Sequence, residues 1–292
     1  MKNKTTRIRD YIIDELLDCA KKLKFQFSKQ IRDELITNKK YRGYFGGKRC
    51  FILGNGPSLK KYDLSVLKNE VVYCVNEFYR SNLLDVVKPN FYFLADPAYF
   101  QLDKNVPESR QFIGAMNNIL DNGIELWAPY FFRKNIEIEY GSNDHIHYFF
   151  NNLSSISLIK KSISFDKCIP QMQAVIQYAI LHAVYSGFKT IYLLGVEQSD
   201  IFSVVESYRN AETEYDYAFS LSDDAKRWKL SQTREYSLSD MLYGYARIFE
   251  LYDLLSGYCK RNDVEILNCS PGSLICSIES FDWNNISWNK KM

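Results

Sequence analysis

The feature that most constrains the fold is the stretch Arg49-Cys-Phe-Ile-Leu-Gly-Asn-Gly-Pro-Ser-Leu-Lys-Lys-Tyr62. Cys50 to Leu53 is a short, wholly apolar run, the pattern of a strand buried on both faces of a parallel sheet. Gly54-Asn55-Gly56 ends it, and two glycines there permit positive φ and a close backbone approach. Pro57 presets the dihedral of a first helical turn, and Ser58 beside it is a candidate cap. A strand, a glycine turn and a helical start together predict an amide-rich pocket that favours anionic groups such as phosphate. The full G-x-G-x-x-G pattern is absent, so an ordinary strand-to-helix turn fits these residues as well.

Further strands are predicted at 71–75, 91–94, 124–128, 189–194 and 264–267, with a weaker one at 146–150. Helices are predicted over 107–120, over 173–186 closed by Gly187, and over 238–259. Alternating strands and helices predict an α/β fold: a doubly wound, Rossmann-like parallel sheet with an N-terminal helical extension and a lid. The extension is residues 1–46, one or two lysine-rich amphipathic helices. The main domain is 47–292, and the lid is the polar, irregular segment 197–236, too long for a simple connection. In such sheets ligands sit beyond the carboxyl ends of the strands. Those ends carry Gly54-Asn55-Gly56, Asn76, Asp96, Gly195-Val196-Glu197 and the run from Asn268 through Ser270, Pro271, Gly272 and Ser273.

Composition closes off several alternatives. The 292 residues are 46% hydrophobic, enough for a substantial core, and a net charge of +2 lacks the basic field of a nucleic-acid binder. Seven cysteines without a C-x-x-C pair fit reduced, buried thiols in a cytoplasmic protein. Three histidines make a histidine-rich metal site improbable, and each fits a structural or exposed place. No apolar run is long enough to cross a membrane and no signal-peptide core opens the chain. Lysines of the N-terminal helices leave peripheral contact with the inner membrane open, although Asp10, Asp14, Glu15 and Asp18 dilute that face.

From about Lys48 to Leu274, with a poor stretch between 100 and 165, the chain resembles the bacterial sialyltransferases of glycosyltransferase family 42. It also resembles the related DUF115 group of hydroxymethylpterin diphosphokinase-like proteins and motility accessory factors. The matching residues are Gly54-Asn55-Gly56-Pro57-Ser58-Leu59, Val75-Asn76-Glu77-Phe78-Tyr79, Gly187 to Gly195, and Ser270-Pro271-Gly272-Ser273. The resemblance implies that Asn55 and Asn76 contact a nucleotide sugar and that Tyr217, in Tyr217-Ala218-Phe219 with Tyr215 nearby, holds the leaving phosphate. It also implies that the Ser270–Ser273 turn holds the cytidine end.

Two departures stand out. Asp96 replaces an asparagine, and the lid histidine that serves the family as general base is missing. Glu235 is the preferred substitute because Asp240 has a structural duty as a first-turn acid; Asp96 is its rival. The implied activity moves a nonulosonic acid from a CMP donor to an acceptor sugar in surface-polysaccharide synthesis, with no cofactor and no metal residues assigned. A homo-oligomer stays open. Two alternatives remain: a pyrophosphokinase using Asp96 and Glu197 to hold Mg²⁺, and a non-catalytic nucleotide-sugar-binding partner.

Overall fold

A computed structural model describes residues 4–159, 162–210, 213 and 217–288. Nine strands form one sheet: β1 (Arg49–Leu53), β2 (Val71–Val75), β3 (Phe91–Phe93), β4 (Glu125–Pro129), β5 (Ile146–Leu153), β6 (Cys168–Pro170), β7 (Thr190–Leu194), β8 (Glu265–Asn268) and β9 (Glu279–Ser280). Their order is β6-β5-β4-β3-β2-β1-β7-β8-β9, and every pairing is parallel. The chain winds outward one way from β1 to β6 and then returns to place β7 on the other side of β1. The order reverses at that junction, which makes the fold the doubly wound α/β class.

Alternation along the strands explains the two layers. Cys50 and Ile52 of β1, with Tyr73 and Val75 of β2, face one core; Phe51 and Leu53, with Val72 and Cys74, face the other. The first core is covered by α6 (Val175–Tyr185) and α9 (Leu238–Arg261). The second lies under short 3₁₀ turns, α3 (Leu83–Val87), α4 (Pro107–Asp121) and the C-terminal Trp283. Both edge strands are very short, and a register shift interrupts the β5–β6 pairing, which limits edge-to-edge association.

The N-terminal helices α1 (Lys4–Phe27) and α2 (Lys29–Leu35) are tied to this frame. The Asp18 carboxylate accepts from the Ser154 amide and hydroxyl, and Asn38 Nδ2 donates to the carbonyls of Tyr148 and Phe165. Among the described residues, no helix is long and apolar enough to cross a membrane.

The segment 197–236 is not irregular as expected. It carries α7 (Asp200–Ser207) and α8 (Asp223–Arg234), and α5 (Arg133–Tyr140) also appears where no helix is expected. Among the described side chains, the buried apolar ones of α7 and α8 are Val204 and Ala225, too few to show as a periodic stripe.

The histidines follow the structural expectation. His182 is wholly buried among Tyr41, Tyr73, Phe93, Trp127 and Phe165, with Nδ1 3.1 Å from the Tyr73 hydroxyl. His147 lies between the Tyr41 hydroxyl and the Glu125 carboxylate. Burial holds His182 well below its ordinary pKa of 6.5. Burial also lowers His147, against the opposing pull of Glu125.

Candidate active site

The carboxyl ends of β1 and β7 come together because two glycines, Gly54 and Gly195, let them. A Cβ on Gly54 would stand 2.2 Å from the Gly195 carbonyl oxygen, and one on Gly195 (φ +64°) would stand 2.7 Å from Leu59. Side chains at these positions would push the two strand ends apart.

The glycine turn differs from the open amide cradle expected of it. The Gly54 amide donates to the Leu194 carbonyl and the Gly56 amide to the Gly195 carbonyl. The Ser58 amide donates to Glu197 Oε1 at 2.8 Å. Glu197, buried at 5% exposure, reaches across from the β7 end and occupies the space beside Gly56, where a Cβ would meet its Oε2 at 1.6 Å. Three amides that would have faced an anion are therefore closed inside the protein. Ser58 does not cap the 3₁₀ turn Pro57–Lys61; Glu197 serves its first N–H, that of Ser58, from outside. Among the described residues no three of His, Cys, Asp and Glu gather to hold a metal ion.

In front of this junction opens a cleft of about 960 Å³. Its walls include Gly54, Asn55, Gly56, Pro57, Asn76, Asp96, Gly195 and Glu197, together with Tyr217 and Asp200. Most of the strand-end residues singled out in the sequence thus meet at one place. A side recess of about 260 Å³ adjoins the cleft, and Asn55, Asn76, Asp96, Asp200 and Tyr217 line both spaces. The amino end of α6 opens onto the cleft, with Gln177 Oε1 accepting from the amides of Gln173 and Ala174. Lys24 is the cation among the described lining residues.

Several polar atoms here lack partners. Asn55 Oδ1, Asn76 Oδ1 and Glu197 Oε2 are buried with no hydrogen bond inside the protein. Burying an acceptor unpaired costs about 1–3 kcal/mol, so such atoms at a cleft favour a ligand that donates to them. The backbone is strained at the same place: Asn76 has φ +47° and Gln198 φ +59°. The Tyr92 hydroxyl holds Asn76 in this conformation, donating to its carbonyl at 2.5 Å while accepting from the Tyr79 amide at 2.9 Å. Left-handed non-glycine residues concentrate at functional sites because surrounding structure must enforce them.

The segment Tyr217-Ala218-Phe219 packs over the glycine turn: the Ala218 amide donates to the Asn55 carbonyl at 2.9 Å, and the Tyr217 and Phe219 rings stack. Tyr215 lies outside the described residues.

Other expected residues fall elsewhere. Ser270 Oγ accepts from the Val196 amide at 2.8 Å, and Ser273 Oγ donates to the Val196 carbonyl at 3.0 Å. With Pro271 and Gly272 they form a buttress behind the β7 loop and do not line the cleft. Glu235 is exposed just after α8 and lines neither the cleft nor the recess. Asp96 is at the junction but exposed, with Oδ1 accepting from the Ala98 amide to cap the turn Pro97–Phe100.

The sequence reading missed Asp200. Its Oδ2 accepts from the Tyr245 hydroxyl of α9 at 2.7 Å and its Oδ1 from Gln198 Nε2 at 3.2 Å. An acid five residues beyond a strand-ending glycine is a weak signal that could have raised it.

Fold and cleft together define a Rossmann-like α/β protein with a ligand cleft at its topological switch point. No protein-family model and no curated protein matches the chain. Solved structures do. The chain is similar to the MAf glycosyltransferase from Magnetospirillum magneticum AMB-1, at 17% identity and a TM-score of 0.46 over 89% of this chain. It spans only 39% of that protein's length. It is also similar to the sialyltransferase CstII from Campylobacter jejuni in complex with a substrate analogue, cytidine-5'-monophosphate. That match has 18% identity and a TM-score of 0.46, covering 83% of this chain and 88% of that one. A structure of the sialyltransferase CST-II with trisaccharide acceptor and CMP matches at 18% identity and a TM-score of 0.44, covering 80% and 86%.

Proposed function

We propose that this chain is a glycosyltransferase that moves a nonulosonic acid of the sialic acid kind from a CMP donor to an acceptor sugar, in the building of a bacterial surface polysaccharide. The carrying observation is the meeting of Asn55, Asn76 and Tyr217 at the border of two connected spaces. A cleft of 960 Å³ is large enough for a nucleotide sugar, and the recess beside it suits the end of an acceptor. The lining is rich in neutral hydrogen-bonding groups. That chemistry suits sugar hydroxyls, amides and a single phosphate ester better than the charge of a triphosphate, which calls for clustered cations.

In this reading Asn55 and Asn76 bind the donor through side-chain amide oxygens that have no partner in the protein. The Tyr217 hydroxyl and the amino end of α6 stabilise the departing CMP. Glu197 serves by holding the β1 turn in shape, and Ser270 and Ser273 by holding the β7 loop. Titration calorimetry with CMP, CTP and ATP, each with and without Mg²⁺, tests the proposal. CMP is expected to bind without Mg²⁺ and more tightly than ATP. A preference for magnesium nucleotides over CMP overturns it, and CMP binding without donor turnover assigns the chain to a non-catalytic role.

A further inference from the structure

Sugar transfer to a hydroxyl needs a group to take the hydroxyl's proton, and no histidine lines the cleft or the recess among the described residues. Where the two spaces join, two carboxyl side chains line both: Asp96 and Asp200. They are held in different ways. Asp96 is exposed and spends Oδ1 on the Ala98 amide, a local turn that any aspartate before such a proline makes. Asp200 is half-buried and opens α7, and each of its carboxylate oxygens accepts from a side chain. Its oxygens are oriented by two side chains, Gln198 from the strained loop and Tyr245 from α9. Fixing a carboxylate by the hydroxyl of a helix distant in the chain, on the wall shared by two spaces, is the arrangement that a positioned general base requires.

Resting on the transferase reading above, we propose that Asp200 is the general base. The acceptor oxygen attacks the anomeric carbon of the donor, the bond from that carbon to the phosphate oxygen breaks, and its electron pair leaves on CMP. The proton of the acceptor hydroxyl passes to the Asp200 carboxylate. Tyr245 is a positioning residue that holds the carboxylate toward the junction.

The test is single-turnover CMP release from CMP-N-acetylneuraminic acid, with water and with lactose as acceptor probes, alongside CMP binding. Asp200→Asn preserves the local hydrogen bonds, because its amide oxygen accepts from Gln198 and its NH₂ donates to the Tyr245 hydroxyl. It is expected to release CMP about 10²–10⁴-fold more slowly, with a CMP dissociation constant within about threefold of the parent. Asp200→Ala is expected to lose as much and to recover about tenfold or more in excess formate, which takes the proton in its place; a purely structural role gives no such rescue. Asp96→Asn is expected to slow CMP release less than Asp200→Asn does; the reverse order makes Asp96 the base and overturns the assignment.

A rate for Asp200→Asn within about threefold of the parent, or no formate rescue, overturns the assignment while leaving the transferase reading in place. A parent protein that binds CMP and never releases it from the donor overturns both.

Discussion

Two asparagines end parallel strands of the same sheet, Asn268 on β8 and Asn76 at the close of β2, and they have opposite fates. Asn268 is buried with both ends of its amide engaged: Nδ2 donates to the Val196 carbonyl and Ser273 Oγ, and Oδ1 accepts from the Ser270 amide. Asn76 has its amide oxygen buried without a partner, sits in a left-handed conformation and lines the cleft. The same residue at the same topological place is structural where its hydrogen bonds close within the protein. It is available to a ligand where they stay open. Ser270 and Ser273, attractive as parts of a binding loop in the sequence, close their hydrogen bonds on Val196 and so resemble the first kind.

The comparison can be broken by substitution, starting with the largest effect. Asn268→Ala is expected to lower stability by about 3 kcal/mol, since it strands buried partners; urea denaturation reads this directly. Full stability in that variant would place Asn268 among the open residues. Asn55→Ala is expected to leave the thermal midpoint nearly unchanged while weakening CMP binding about ten- to a hundredfold, or about 1.5–3 kcal/mol, in calorimetry.

A third prediction probes polar groups buried deep in the core. His182 and His147 have pKa values depressed below 6.5, so the unfolded chain binds protons that the native state refuses. Stability is then full above about pH 6.5 and falls as pH drops below it, by up to about 1.4 kcal/mol per pH unit for each histidine. Glu125 adds a loss below its ordinary 4.5: burial alone would raise it, but His147, Lys40 and Tyr41 together hold it down. Unfolding midpoints that stay flat between pH 7.5 and 5 would contradict this.

The smallest effect is expected from Asn76→Gly. Relieving the left-handed strain should stabilise the free protein by about 0.5–1 kcal/mol while weakening CMP binding. A loss of stability instead would mean that the Asn76 side chain has an unseen structural duty.

The sheet was legible in the sequence because its central strands are continuous apolar runs that end in glycine, asparagine or aspartate. β6 and β9 were not, β6 being three residues that end in Pro170 and β9 only Glu279–Ser280. Helices α7 and α8 were hidden for a related reason, each showing few buried apolar side chains among the described ones. Within the site, the sequence located Asn55, Asn76, Asp96 and Tyr217 by their place at strand ends or by resemblance. It could not tell which polar groups satisfy one another across long separations. Glu197 meeting the Ser58 amide, Ser270 meeting Val196 and Tyr245 meeting Asp200 join residues far apart in the chain. Such pairings decide whether a strand-end residue is closed or open, and no local pattern records them. Glu235 was favoured for lacking a local duty, a criterion blind to where the side chain stands.

The pairing of β1 with β7 has a consequence for how the molecule comes into being. Arg49 aligns with Thr190, so the central contact of the sheet joins segments about 140 residues apart. During synthesis β1 can pair with β2 early, but its other edge stays open until β7 has left the ribosome. Contacts of such long range fold slowly, and an unpaired central edge is prone to aggregate in the interval. Because Glu197 arrives with β7, the glycine turn of β1 acquires its mature shape only at that late step. A truncated nascent chain ending before Thr190 should therefore lack the cleft altogether and be a natural client for chaperones.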